Sequence, residues 1–299
     1  MNKTINSIPI ENWYSGSYPM IVGGPCSAES EKQVMETAMA LSEIPQIGIF
    51  RAGIWKPRTR PEEFEGVGIQ GLKWLQNVNR ATGLLTAVEI GHADHVKACL
   101  DHEINIIWIG ARTVVNPFSM QEIAEVLHNA DLPVFIKNPV NPDLKLWIGA
   151  LERINQAGIN KLVAVHRGFY TSMTSAYRNE PMWNIPIELK RMNPDLPIIC
   201  DPSHISGQSN MVQSIAQQAL DMGMDGLMIE SHIEPDKALT DGEQQLTPAQ
   251  FKKMIHELRF RKTHLVQTFE QELTALRGGI DLADAELINA LAKRMKIVK

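Results

Sequence analysis

The chain has 299 residues, 44% of them hydrophobic and 21% charged, with a formal net charge of −5. That length can bury a large core as one barrel or as two ordinary domains. The acidic balance gives no overall electrostatic reason to bind nucleic acid or an anionic membrane, so any anion site must be a local cluster of cations. Three cysteines (Cys26, Cys99, Cys200) do not make a disulfide framework and predict a reducing compartment. The first 19 residues lack the charged start and apolar core of a signal peptide, and no apolar run reaches the roughly 18 residues of a membrane span. A cytoplasmic protein is expected.

Apolar runs of strand length recur at Met20 to Gly24, Ile47 to Phe50, Leu84 to Ile90, Ile106 to Ile109, Pro133 to Ile136, Lys161 to Val165, Pro197 to Cys200 and Gly226 to Ile229. Most are too continuously apolar to have a solvated face, which suits a parallel sheet covered on both sides. Segments of helical period lie between them. Ser30 to Glu43 places Val34, Met35, Ala38 and Leu41 on one face, and Ser119 to Asn129 does the same with Ile123, Val126 and Leu127. Further helices are predicted over Phe64 to Ala81, Ala93 to Asp101, Leu144 to Ala157, Asn184 to Met192, Gln208 to Met222 and Pro248 to Arg259. Eight alternations predict an α/β protein built as a (β/α)8 TIM barrel over residues 20–260, with an open doubly wound sheet as the competitor.

The barrel is favoured by where the unusual residues fall. Each apolar run ends in polar or charged residues (GPCS, FRAG, EIGH, GAR, IKNP, HRG, CDPSH, IESH), and in a barrel all these exits converge on the face where barrel enzymes keep their sites. Cys26 leaves the first run, His204 the seventh and Glu230 the eighth, with Asp241 in the loop beyond. Runs seven, eight and one are neighbours in a closed barrel. A thiolate, an imidazole and two carboxylates form a mixed soft and hard set suited to one divalent ion, Mn2+, Fe2+, Co2+ or Zn2+ rather than Mg2+ or Ca2+. Taken singly, each has a bland reading: a cysteine after a buried strand is usually inert core, and Asp-Gly is usually a turn.

The cations form a second set. Arg51 and Lys56 follow the second run, Arg112 the fourth, Lys137 the fifth and Arg167 the sixth. Five cations at one mouth of an acidic protein predict a strongly anionic ligand, phosphate or carboxylate. Arg58 and Thr59, in Lys56-Pro57-Arg58-Thr59, offer donors for a second phosphate. Lys137 could alternatively be the Schiff-base lysine of a metal-independent aldolase.

The segments GGPCSAES, FRAGIWKPRTRPEEFEGVG, IGAR, VHRG, CDPSHISG and MIESHIEPDKALTDGEQQLTP together resemble the type I beta 3-deoxy-D-arabino-heptulosonate 7-phosphate (DAHP) synthases over roughly residues 20–260. The resemblance implies a metal-dependent barrel that condenses phosphoenolpyruvate with erythrose 4-phosphate at the start of the shikimate pathway, with Mn2+ the first metal to expect. It implies Cys26, His204, Glu230 and Asp241 as metal ligands. Arg51, Lys56, Arg112, Lys137 and Arg167 would bind phosphoenolpyruvate, and Arg58 and Thr59 the phosphate of the sugar. Lys137, His204 and Cys26 are the catalytic candidates. The chain departs from the family at Arg60, where a small residue is usual, and at His166, where an acidic one is usual. Two rival readings are 3-deoxy-D-manno-octulosonate 8-phosphate synthase and a non-catalytic regulatory subunit, the latter predicting a degraded ligand set.

Residues 1–19 form an N-terminal extension. Residues 261–299 form a linker and a helical extension in which Leu276, Ile280, Leu287 and Leu291 recur at helical spacing. LRGGIDLADAELINALAKRMKIVK resembles the first helix of an all-helical chorismate mutase, with Arg277 and Arg294 where that family binds its dicarboxylate. The expectation is a bifunctional parent cut short, with no mutase activity from these residues. The apolar stripe predicts self-association as a homo-dimer or tetramer.

Overall fold

The computed structural model describes residues 5–57, 62–128 and 130–260, together with helical positions 280, 283, 284, 287, 288, 291 and 295. Strands alternate with helices in the order β1 Met20–Gly24, α1 Glu31–Ser42, β2 Ile47–Ala52, α2 Gln70–Thr82, β3 Leu85–Ile90, α3 Ala93–Asp101, β4 Ile106–Ile109, α4 Ala111–Val114, α5 Pro117–Val126, β5 Val134–Lys137, α6 Leu144–Gln156, β6 Leu162–His166, α7 Asn184–Met192, β7 Ile198–Cys200, α8 Pro202–Ser206, α9 Val212–Asp221, β8 Gly226–Glu230 and α10 Pro248–Glu257. All pairings are parallel, and β8 returns to β1 through Met20 to Gly24 against Gly226 to Glu230, closing an eight-stranded barrel.

Period-2 alternation decides what fills it. The inward positions Met20, Val22, Ile49, Ala87, Ile106, Trp108, Phe135, Val163, Val165, Ile199 and Met228 form one buried cluster. Residues of the N-terminal extension complete the floor: a 3-10 turn at Ile10–Asn12 brings Ile10 and Tyr14 into the cluster. Each large apolar side chain so buried contributes on the order of 1.5–3 kcal/mol.

Local chemistry sets the helix limits. Ser30 caps α1 by accepting from the Gln33 N–H, and Thr247 with Gln250 forms a reciprocal capping box on α10. The helix expected from Phe64 instead begins at Gln70, because Gly66 and Gly68 take φ values of +101° and +69°. That left-handed backbone turns the chain and cannot continue a right-handed helix. The helix expected from Gln208 likewise opens as a 3-10 turn, Ser209–Met211, before α9. Two short helices, α4 and α8, occupy the exits of β4 and β7, and they carry Arg112 and His204.

The chain divides into two compact units, residues 1–259 and 260–299. In the second, Ile280, Leu287, Ile288, Leu291 and Met295 are helical and exposed. Leu276, Arg277 and Arg294 lie outside the described residues, as do Arg58, Thr59 and Arg60. Among the described residues no helix is long and apolar enough to cross a membrane.

Candidate active site

The inward rows that fill the floor continue, two residues on, into charge. Ile49 is followed by Arg51, Ala87 by Glu89, Phe135 by Lys137, Val165 by Arg167, Ile199 by Asp201 and Met228 by Glu230. Arg51, Lys137 and Glu230 therefore belong to the last strand turns rather than to the loops after them. Arg51, Asp201 and Glu230 are fully buried and Lys137 nearly so. Buried charges need partners, and these have them. Arg51 Nη2 donates to Glu230 Oε1 at 3.0 Å, Lys137 Nζ to Asp201 Oδ2 at 2.9 Å, and Lys56 Nζ lies 3.6 Å from Glu89 Oε2.

Three of the four sequence-predicted ligands converge. Ligand atoms of Cys26, Glu230 and Asp241 all lie within 4.8 Å of one another. Gly24 makes room beside them: at φ +145°, its hydrogen stands where a Cβ would be 2.1 Å from the Arg51 carbonyl oxygen. Cys26 Sγ donates to Asp241 Oδ2 at 3.2 Å, and the Cys26 N–H to Gln245 Oε1 at 3.0 Å. Asp241 itself sits at φ +49°, a left-handed conformation that Asp tolerates better than most residues, and this turns its carboxylate inward. His204 stands at the edge of the group. Its Nδ1 is 3.8 Å from Glu230 Oε1 but 2.8 Å from Asp201 Oδ2, so the ring leans toward Asp201. Asp201 is also the N-cap of α8, accepting from the His204 N–H, with Pro202 in the first turn. Ser203 Oγ accepts from the Glu230 N–H, tying that helix to the end of β8.

Electrostatics separates the members of this group. Burial, reinforced by the Glu230 carboxylate, pushes the Cys26 thiol up to about 12. Burial alone would raise Asp201, yet His204, Lys137 and Arg51 outweigh it and hold the carboxyl well below its usual range. Asp241 is lowered too, as Arg178 and His204 outweigh its burial. Desolvation lowers the His204 imidazole against the opposing pull of Asp201.

A divalent ion fits what is present. A thiol and two carboxylates crowd together, and burial with the Glu230 carboxylate beside it keeps the thiol protonated. Two positive charges placed among them would reverse that, since a coordinated thiol is deprotonated outright. Cys26, Glu230 and Asp241 would hold such an ion, with His204 beside them.

Next to this group opens a cavity of about 340 Å³ walled by Lys56, Glu89, Arg112, Lys137, Arg167, Arg178, His204 and Asp241 among others. Four of the five predicted cations face it. Arg51 does not; it lies beneath, with its guanidinium 4.8 Å from the centre of the Trp108 ring. Arg167 is fixed from both ends, its N–H donating to Asn138 Oδ1 at 2.7 Å and its Nη1 to Asn179 Oδ1 at 2.6 Å. Burial lowers its guanidinium to about 10.

Asp201, Glu89, Arg178, Asn179 and Gln244 join the site without standing among the residues expected from the sequence. Asp201 and Glu89 had a usable signal, each being the next inward position after a core residue. Arg178 and Asn179 lie in a loop and Gln244 in a 3-10 turn, Gly242–Gln244, without periodicity, where no such signal exists.

Known proteins share this architecture and sequence. The model of the DAHP synthetase I family matches residues 12–266. A phospho-2-dehydro-3-deoxyheptonate aldolase of Thermotoga maritima is 32% identical over 242 residues, 81% of this chain and 69% of that protein. A 2-dehydro-3-deoxyphosphooctonate aldolase of Desulfotalea psychrophila is 27% identical over 267 residues, 82% of this chain and 90% of that one. The crystal structure of the Thermotoga maritima DAHP synthase superposes with a TM-score of 0.72 at 28% identity, covering 86% of this chain and 76% of that chain. A truncated form of the Thermotoga enzyme gives 0.69 at 27% identity, covering 84% of this chain and 93% of that chain. With its barrel and most of its length matched, the chain belongs to the DAHP synthetase I family and is a homologue of phospho-2-dehydro-3-deoxyheptonate aldolase.

Proposed function

We propose that the chain condenses phosphoenolpyruvate with erythrose 4-phosphate, giving DAHP and inorganic phosphate, in a reaction that depends on one divalent ion. The observation that carries this reading is a thiol–dicarboxylate group whose Asp241 lines a cavity together with the cations Lys56, Arg112, Lys137, Arg167 and Arg178. Such a cavity offers cations to phosphorylated anions beside the residues that would hold a Lewis acid. The family supplies the substrates. Here C3 of phosphoenolpyruvate bonds to the aldehyde carbon of the sugar, water adds at C2, and the C2–O bond to phosphate breaks.

The ion, held by Cys26, Glu230 and Asp241, would polarise the aldehyde oxygen as charge develops there. The protein's own part is orientation and charge. Lys56, Arg112, Lys137 and Arg167 face the cavity and would grip the carboxylate and phosphate of phosphoenolpyruvate, offsetting the repulsion of bringing two anions together. Arg51 acts from below, fixing Glu230. Arg58 and Thr59 would take the sugar phosphate. Lys137 and His204, both against Asp201, are placed to hold or move the protons. Residues 261–299 would begin an appended helical domain.

The test is a phosphate-release assay on metal-free protein with each aldose in turn. Turnover with erythrose 4-phosphate should vanish with chelator and return with Mn2+. Full activity without metal would refute the ion's role. Preference for arabinose 5-phosphate would move the chain to the chemistry of the octonate aldolases that it also matches.

A further inference from the structure

We propose that Arg178 is the positioning residue of the ligand group: it sets Asp241 directly and Glu230 through Gln244, so that affinity for a divalent ion depends on a side chain outside the ligand set. The proposal rests on the metal reading above. Arg178 comes from the loop between β6 and α7, remote in sequence from every ligand, and a single nitrogen makes both contacts. Its Nη1 donates to Asp241 Oδ1 at 2.8 Å and to Gln244 Oε1 at 2.7 Å. Gln244, itself buried, passes the constraint on by donating Nε2 to Glu230 Oε2.

The two carboxylates are thereby divided in the same way. Asp241 turns Oδ1 to Arg178 and Oδ2 to Cys26, and Glu230 turns Oε2 to Gln244 and Oε1 to Arg51. Asp241 is thus held at Oδ1 by Arg178 and Glu230 at both oxygens, by Gln244 and Arg51, which sets the plane that each carboxylate presents. Outer partners of this kind orient ligands, and their loss typically costs about 10–100-fold in metal affinity.

The backbone shows why this arginine can hold its post. Its stem passes Gly207, at φ +70°, where a Cβ would come within 2.6 Å of the Arg178 Cβ. Its neighbour Asn179 binds α8 through two contacts, its N–H to the Ile205 carbonyl at 3.1 Å and its Nδ2 to the His204 carbonyl at 2.6 Å. The loop is thus fastened to the helix that carries the fourth predicted ligand.

Charge and positioning predict opposite signs. Deleting a cation beside the site should, by Coulomb attraction alone, tighten binding of a dication. If Arg178 positions, deleting it should loosen binding. Arg178 also faces the cavity, and if it gripped substrate instead, its loss would raise KM and leave ion affinity as it was.

The experiment is a Co2+ titration of the metal-free full chain, read by the thiolate-to-cobalt absorption that Cys26 would give, with thermal midpoints recorded for each protein. Arg178→Met should weaken Co2+ binding by about 10–100-fold, with Arg178→Lys, which keeps a charged donor, binding more tightly than Arg178→Met. Gln244→Leu breaks only the Glu230 half and should weaken binding as well, which keeps the test standing should Arg178→Met fail to fold. Binding by a folded Arg178→Met or by Gln244→Leu that equals or exceeds wild type overturns the proposal. Wild type that takes up no Co2+, or whose absorption survives Cys26→Ala, overturns the metal reading and this proposal with it.

Discussion

The floor and the mouth of this barrel are made by the same strands and obey opposite rules. On β2, Ile49 lies in the apolar cluster and Arg51, two residues on, is a fully buried cation; on β8, Met228 and Glu230 repeat the contrast. The floor is held by area removed from water and needs no partner of a particular kind. At the mouth Arg51, Asp201 and Glu230 are buried as completely, but these charges are tolerated through named counter-charges. Stability at the floor is therefore distributed, whereas at the mouth it is pairwise and can be broken by one substitution.

Substituting both residues of one strand tests that contrast most strongly. Arg51→Met leaves Glu230 and Asp201 short of a buried partner and should lower stability by about 3–5 kcal/mol, measured by urea unfolding of the metal-free protein. Turnover should collapse as well, because Glu230 loses the donor to Oε1. Ile49→Ala should cost about 2–5 kcal/mol through the cavity it leaves, yet turnover per folded molecule should stay at the wild-type value. Equal losses of turnover in the two variants would erase the division between floor and mouth.

How far the sequence could show this division follows from the kinds of interaction involved. The strands were legible because runs such as IIWI and LVAVH bury both faces, so hydrophobicity alone marks them. The exits were legible because GPCS, CDPSH and IESH interrupt those runs abruptly. Which exit residues meet was not legible. Arg51 and Glu230 are 179 positions apart, and only barrel closure brings β2 and β8 to opposite sides of β1. His204 is expected as a ligand with the other three; its Nδ1 lies against Asp201, the cap of its own short helix, an arrangement that leaves Nε2 for an ion, and nothing in the spacing DPSH predicts how an imidazole will turn. Arg178 was invisible for a different reason. It sits in a polar loop, and its importance comes entirely from contacts with Asp241 and Gln244 more than 60 residues on.

The smallest effect concerns a buried group that belongs to neither floor nor mouth. His166 lies between the inward positions Val165 and Arg167, so alternation turns it outward, against the rings of Phe169 and Trp183 at centroid distances of 5.8 and 5.1 Å. Burial pushes this imidazole down to about 3. In the unfolded chain it returns to about 6.5. Between those values the unfolded state binds the extra proton, so His166 imposes nothing above pH 6.5 and erodes stability as pH falls toward 3, at no more than about 1.4 kcal/mol per pH unit. At pH 5 the erosion from this one group should reach about 2 kcal/mol. His166→Leu should remove it: the variant's stability relative to wild type, read by urea unfolding, should improve by that amount between pH 7 and pH 5. An unchanged difference would mean that His166 takes up its proton in the fold as readily as in the unfolded chain. An aromatic-lined position without solvent could accommodate that charge only beside a carboxylate, and the nearby acid, Asp201, is engaged by Lys137 at 2.9 Å.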